Sequence, residues 1–136
     1  MDKQFIVEEN FLYRGFRGVV VGNAMGHRCG YVGLPKGDVY YGEDYDDIPV
    51  KCHGGLTFGK LSPDYPIKDE GEELYWIGFD CAHLNDAKDP ELLEYFGKRG
   101  KREEDWPDVF MHGKVRTQYE VRREVERIID QLLLIG

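Results

Sequence analysis

The sequence predicts an α+β fold, in which a small, mostly antiparallel sheet packs against a C-terminal amphipathic helix. Short apolar runs rich in β-branched and aromatic residues fill the first two-thirds of the chain, and glycines are frequent between positions 15 and 59. Glycine disfavours helices and supplies turns and bulges, so these runs are predicted as strands. From residue 117 onwards, apolar residues recur at helical spacing instead. The 136 residues fit a single domain, 1–136.

The strands are predicted in chain order at 18–21, 28–34, 50–53, 56–58 and 73–80. The segments between most of them lack a helical crossover, which favours antiparallel pairing. Gly54 and Gly55 separate the third and fourth runs and predict a bulge or tight turn. The run 73–80 combines aromatic and β-branched residues, which suits a central position in the sheet.

Two helices are predicted near the C-terminus. Asp89 followed by Pro90 indicates an N-cap and a first helical residue, opening a short helix that ends near Gly97. Thr117 and Glu120 fit a capping box. The helix after it carries an apolar face of Val121, Val125, Ile128, Ile129 and Leu132. The apolar tail 132–135 is wider than one face needs, and is expected either to complete the core or to join a partner subunit in a homo-oligomer.

Composition limits the classes of partner. The formal net charge of −8 repels nucleic acid and anionic membranes, and the basic residues of 98–102 are followed at once by an acidic run. No apolar stretch approaches the length of a membrane span. The start of the chain lacks the pattern of a signal peptide, so we expect a cytoplasmic protein.

The sequence predicts neither reactive cysteines nor a cofactor. Cys29, Cys52 and Cys81 are too few and too widely spaced for a disulfide framework, and are predicted as reduced, mostly buried thiols rather than nucleophiles. No metal-binding or nucleotide-binding fingerprint is present. We therefore expect no resident cofactor.

The candidate ligand site centres on two histidines and an aspartate. His53 precedes two glycines, where backbone can approach a ligand, and Asp80 and His83 follow the strongest strand. Arg28 offers a planar fork for an anion, with a surface salt bridge as the alternative. The acidic loop around Tyr45 is expected either to close over a ligand or to remain solvated. The predicted ligand-binding residues, expected to share one cavity, are Arg28, Tyr31, Tyr45, Asp47, His53, Gly54, Gly55, Thr57, Asp80 and His83.

Four sequence blocks resemble a family of small hypothetical proteins from bacterial genomes and phages. The blocks are RCGYV at 28–32, DYDD at 44–47, HGGLTF at 53–58 and WIGFDCAH at 76–83. The resemblance covers about residues 26–86 and the C-terminal helix. It implies a phage-type accessory role, such as one against host defence.

Three functions are consistent with these features. The first is binding and sequestration of a small polar, nucleotide-like molecule, for example an antiviral-defence signal. The second is a hydrolase that uses His53, His83 and Asp80, with or without a metal ion. The third is an acidic protein that inhibits a host enzyme by direct contact.

Overall fold

A computed structural model describes residues 5–81, 86–97 and 114–135. Its main element is a five-stranded antiparallel sheet with the strand order β1-β2-β3-β5-β4. The strands are β1 (Phe5–Tyr13), β2 (Phe16–Asn23), β3 (Arg28–Leu34), β4 (Phe58–Leu61) and β5 (Tyr75–Asp80). A short 3-10 helix, Tyr45–Asp47, lies between β3 and β4. The predicted α+β class with a mostly antiparallel sheet is confirmed.

Two helices and a small parallel pair complete the described residues. Helix α1 (Pro90–Tyr95) begins after Asp89, whose side chain accepts the Glu91 N–H as predicted. Helix α2 (Gln118–Ile135) packs on β3 and β2. Strands β6 (Asp86–Ala87) and β7 (Lys114–Val115) pair in parallel. Within the described residues, no helix is both long and apolar enough to cross a bilayer.

Strand alternation sorts side chains onto two faces of the sheet. The face under α2 contributes Val20, Val32, Leu34, Ile77 and Phe79 to the main core. The opposite face carries Val19, Val21, Tyr31 and Trp76, which are covered by Tyr65 and Ile67 from the segment after β4. Whether a residue of β3 or β5 has an odd or an even number therefore determines which face of the sheet its side chain lies on.

Strand β1 was not predicted from the sequence. It forms a hairpin with β2 through a turn in which Arg14 has φ 50° and Gly15 has φ 92°. A bulge at Glu8 interrupts the alternation between Val7 and Glu9. As a result, the neighbouring carboxylates of Glu8 and Glu9 both contact groups on the α2 side of the sheet.

The predicted strands agree with the structure at three of five places. The runs 18–21, 28–34 and 73–80 lie in or nearly coincide with β2, β3 and β5. The prediction of a strand at 50–53 is wrong, because that segment follows the 3-10 helix as a loop held by α2: Gln131 bonds both backbone groups of Lys51. The run 56–58 begins too early, since pairing with β5 starts at Phe58.

Helix α2 begins and packs as predicted. Glu120 N–H donates to Thr117 Oγ1 at 3.1 Å, and the Glu120 carboxylate accepts the Thr117 N–H at 3.3 Å, which completes a capping box. The predicted apolar face is fully buried. The helix lies close to the sheet at Gly30, where an added Cβ would meet the Phe79 ring at 2.6 Å and Val125 Cγ2 at 2.7 Å.

We predict that Gly30→Ala destabilises the protein by about 1–3 kcal/mol, because the extra methyl group overpacks the interface between α2 and β3. Gly37→Ala is the matched control, since nothing lies within 4 Å of a Cβ at that position. Urea denaturation of both variants measures the difference. Equal stabilities for the two would contradict the close approach of α2 at Gly30.

Candidate functional site

A cleft of about 380 Å³ lies between the first half of α2, the turn that carries His53, and the end of β5. Its apolar floor is formed by Phe79, Cys81 and Val121, all of which are buried. Its walls carry charged side chains from α2 and from Arg116, which precedes the helix. Concave sites with an apolar floor and a few polar groups are typical of small-molecule binding.

The turn at residues 52–55 places His53 on this cleft. Gly54 and Gly55 have φ 71° and 81°, a region that glycine adopts without the strain of a Cβ. The Gly55 N–H donates to the Cys52 carbonyl at 2.9 Å and closes the turn. The His53 N–H donates to Glu124 Oε2 at 2.7 Å, which ties the turn to α2. The predicted tight turn is therefore present, and a helix residue holds it in place.

The basic side chains of the cleft come from one stripe along α2 and its N-terminal approach. Arg116, Arg123 and Arg127 line it, together with Glu120 and Glu124. Arg127 Nη1 donates to Glu124 Oε1 at 2.7 Å, and Arg123 Nη1 donates to Glu126 Oε1 at 2.5 Å. The hydrogen bond that Arg123 donates to Glu126 raises the pKa of its guanidinium group.

One aromatic ring stands at the rim of the cleft. Tyr119 lies in the first turn of α2, and 71% of its surface is exposed. An exposed ring beside guanidinium groups provides a stacking surface next to donors for an anion. The arrangement can hold a molecule that combines a planar ring with a negative group.

Arg28 does not line this cleft; it is a buried structural residue. Its Nε donates to Glu8 Oε1 at 2.7 Å, and its Nη1 donates to Asp89 Oδ2 at 2.7 Å. The same Nη1 also donates to the Arg116 carbonyl at 3.0 Å. Only 5% of Arg28 is exposed, which corrects the expectation of either a surface salt bridge or an anion ligand. Arg28 instead anchors the backbone that precedes α2.

Tyr31, Thr57 and Asp80 lie on the opposite side of the sheet from the cleft. Asp80 pairs with Cys29 in the register of β3 and β5, so its parity is opposite to that of Phe79 and Cys81. Thr57 Oγ1 donates to Asp80 Oδ2 at 3.2 Å. The hydroxyls of Tyr31 and Tyr65 lie 2.6 Å apart. The expected convergence of Asp80 with His53 is therefore wrong.

The remaining predicted residues divide between the turn and the acidic loop. Gly54 and Gly55 form the turn that carries His53. Tyr45 is half-buried beside Gly59 of β4, and Asp47 is exposed; neither lines the cleft. His83 and the mixed-charge run 98–105 lie outside the described residues. Of the described predicted residues, the structure places His53 in the cleft, on a turn built by the two glycines.

Sequence reasoning missed the charged stripe of α2. Arg116, Glu120, Arg123 and Arg127 follow one another at intervals of four, three and four residues, a spacing that keeps residues on one side of a helix. This spacing is visible in the sequence, but a polar helix face has the same pattern whether it faces solvent or borders a cleft. Only the position of the His53 turn against α2 shows that this face borders a cleft.

Burial limits the ionisation of the cysteine thiols of the sheet and of the His53 turn. Burial raises the pKa of Cys29 to about 11 and that of Cys52 to about 12. Cys29 and Cys52 are half-buried, and Cys81 is buried. Within the described residues, no group of three or more His, Cys, Asp or Glu side chains is placed to hold a metal ion.

Comparison of the chain with protein-family models, with curated proteins and with solved structures found no match.

We predict that removing Arg28 destabilises the fold strongly. Arg28→Ala leaves the carboxylates of Glu8 and Asp89, whose side chains are only 11% and 12% exposed, without their cation, and such losses cost about 3–5 kcal/mol. Arg17→Ala is the control, since Arg17 makes an exposed contact with Asn10, and we expect a change within about 0.5 kcal/mol. Thermal and urea unfolding report both values. A loss as small as that of the control would show that the Arg28 network is not structural.

We also predict slow thiol reaction in the folded protein. Raised pKa values leave few thiolates at pH 8, whereas about a quarter of ordinary thiols are ionised there. Alkylation of Cys29 and Cys52 by iodoacetamide, followed by mass spectrometry, should be at least about tenfold slower in the native than in the urea-unfolded protein. A cysteine that reacts faster in the native state would instead be an activated nucleophile.

Proposed function

We propose that the protein binds a small, polar, nucleotide-like anion in the cleft between α2 and the His53 turn. The observation that carries this proposal is the meeting of Arg116, Arg123, Arg127 and His53 around one concave surface with an apolar floor. Guanidinium groups bind phosphate and carboxylate oxygens through paired donors. An apolar floor lowers the local dielectric and strengthens such contacts.

The basic side chains of the cleft contrast with the negative charge of the whole chain. The protein carries a formal net charge of −8, so its average surface repels anions. Nonetheless, the described residues that line the cleft include more basic than acidic side chains. A ligand with a negative group would thus be drawn to this place in preference to the rest of the surface.

The exposed ring of Tyr119 supports a ligand that also contains a planar base. Aromatic stacking on a nucleobase contributes about 1–3 kcal/mol. The phenol ring and the guanidinium groups lie on the same cleft, so one molecule can use both. This combination favours a nucleotide-like ligand over a simple inorganic anion.

We further propose that the ligand is sequestered rather than consumed. A hydrolase built on His53 and Asp80 needs the carboxylate near the imidazole, but Asp80 lies on the other sheet face with Thr57. The resemblance to phage proteins suggests that the bound molecule is a signal of antiviral defence. Chromatography of ligand released by denaturing the complex should return it chemically unchanged, and recovery of a cleaved product would support the hydrolase.

The binding proposal predicts a thermal shift with at least one member of a panel of linear and cyclic mononucleotides. A ligand at about 100 times its dissociation constant stabilises the folded state by about 2.7 kcal/mol. Arg127→Ala should weaken the best binder by about 10- to 100-fold, since charge-assisted hydrogen bonds contribute about 1.5–3 kcal/mol.

Arg14→Ala is the matched control for this experiment. Arg14 is also an exposed arginine paired with an α2 carboxylate, Asp130, at 2.7 Å, but it lies on the β1–β2 turn and does not line the cleft. Both variants lose one surface ion pair, so their stabilities should change little. Equal losses of binding in both variants, or no shift with any nucleotide, would refute the proposal.

A further inference from the structure

We infer that Glu124 is the positioning residue of the cleft: the reach of its side chain fixes the His53 turn against α2, and the site does not require its negative charge. This inference rests on the proposed function, since it assigns a role within the same site. Its geometric part is measurable without a ligand. It follows from the hydrogen bonds that hold the turn.

Side chains of α2 hold the backbone of the segment that leads into the turn. The strand pairs of the described residues include no residue of 51–53. Gln131 Oε1 accepts the Lys51 N–H at 2.7 Å, and Gln131 Nε2 donates to the Lys51 carbonyl at 2.7 Å. Glu124, two turns earlier on the same side of α2, accepts the His53 N–H through Oε2 at 2.7 Å. These helix side chains thus bond the segment as a neighbouring strand would.

Glu124 also contacts the arginine wall of the cleft. Its other oxygen, Oε1, accepts Arg127 Nη1 at 2.7 Å, and both residues line the cleft. A carboxylate has two acceptor oxygens, so this one side chain bonds the wall formed by the turn and the wall formed by α2. The separation of His53 and Arg127 therefore depends on where the Glu124 carboxylate lies.

The two bonds of Glu124 have different chemical requirements. The His53 N–H needs an acceptor oxygen at the right distance from the helix, which an amide carbonyl also supplies. The ion pair with Arg127 needs a charge, but the Arg127 side chain is 60% exposed, and such pairs contribute little to stability.

The charge of Glu124 works against the ligand that the cleft is proposed to bind. Its carboxylate lies close enough to the turn to add to the raised pKa of Cys52, after the larger effect of burial. An anion that approaches Arg127 meets this carboxylate and is repelled by it. The position of the Glu124 side chain therefore supports binding, whereas its charge opposes binding.

Two substitutions separate reach from charge. Glu124→Gln keeps the side-chain length and an acceptor oxygen but removes the charge, whereas Glu124→Asp keeps the charge and shortens the side chain. Amide hydrogen exchange followed by NMR measures protection of the His53 N–H without ligand. We expect exchange within about threefold of the unsubstituted protein in Glu124→Gln, and at least about tenfold faster exchange in Glu124→Asp. The opposite order, or no change in either variant, would overturn the inference.

Gln131→Asn is the matched control, because it shortens the other α2 side chain that bonds this segment. We expect it to speed exchange of the Lys51 N–H and to leave that of the His53 N–H within about threefold. Equal loss of protection at His53 in Gln131→Asn and Glu124→Asp would show that the segment moves as a unit and that Glu124 has no particular role. Urea denaturation checks that all variants are folded.

Titration calorimetry with the linear and cyclic monophosphates of adenosine and guanosine, and with inorganic phosphate, measures the effect on binding. Glu124→Gln should bind the tightest nucleotide at least as strongly as the unsubstituted protein, because the opposing carboxylate is gone. Glu124→Asp should bind it at least about fivefold more weakly, because the His53 wall is no longer held. A merely structural role would instead weaken binding in proportion to the loss of stability.

The outcomes separate this inference from the proposed function. Equal loss of nucleotide binding in Glu124→Gln and Glu124→Asp would show that the charge is required, which overturns the inference and leaves nucleotide binding standing. Binding of none of the nucleotides would refute the proposed function. Hydrogen exchange at His53 would then decide by itself whether Glu124 positions the turn.

Discussion

The close packing of α2 on the sheet at Gly30 determines the geometry of the cleft. Because Gly30 has no side chain, the Phe79 ring and the Val125 methyl group occupy the space above it. Phe79 is also part of the cleft floor, and Val121, one turn before Val125, completes that floor. The depth of the cleft and the height of the α2 arginines above the sheet therefore both depend on this contact.

A buried ion-pair network holds the approach to α2 in register with the sheet. Arg28 joins Glu8 at the β1 bulge, Asp89 at the N-cap of α1, and the backbone carbonyl of Arg116. A guanidinium can satisfy three partners at once because its donors point in several directions. The residue that the sequence singled out as a ligand group thus supports the cleft through the backbone, and the side chains that follow on α2 line it.

Local sequence patterns correctly predicted the elements that depend on interactions between residues close together in the chain. The capping box of Thr117 and Glu120, the Asp89-Pro90 helix start and the Gly54-Gly55 turn all depend on hydrogen bonds or dihedral angles within a few residues. Strand β1 was missed because its bulge breaks the period of two and sets Glu8 beside Glu9 on one side. The segment 50–53 was assigned to a strand from its composition, but helix α2 supplies its hydrogen-bond partners.

The sequence by itself determined the class of fold, the apolar face of α2 and the turn that presents His53, since these follow from short-range propensity and periodicity. The tertiary structure alone decided which polar residues meet. Strand parity turned Asp80 and Tyr31 away from His53, and the packing of α2 brought Arg123, Glu124 and Arg127 to it. The physical reason is that burial and charge pairing depend on partners distant in the chain, such as Glu124 and His53, and the spacing of residues along the sequence does not specify those partners.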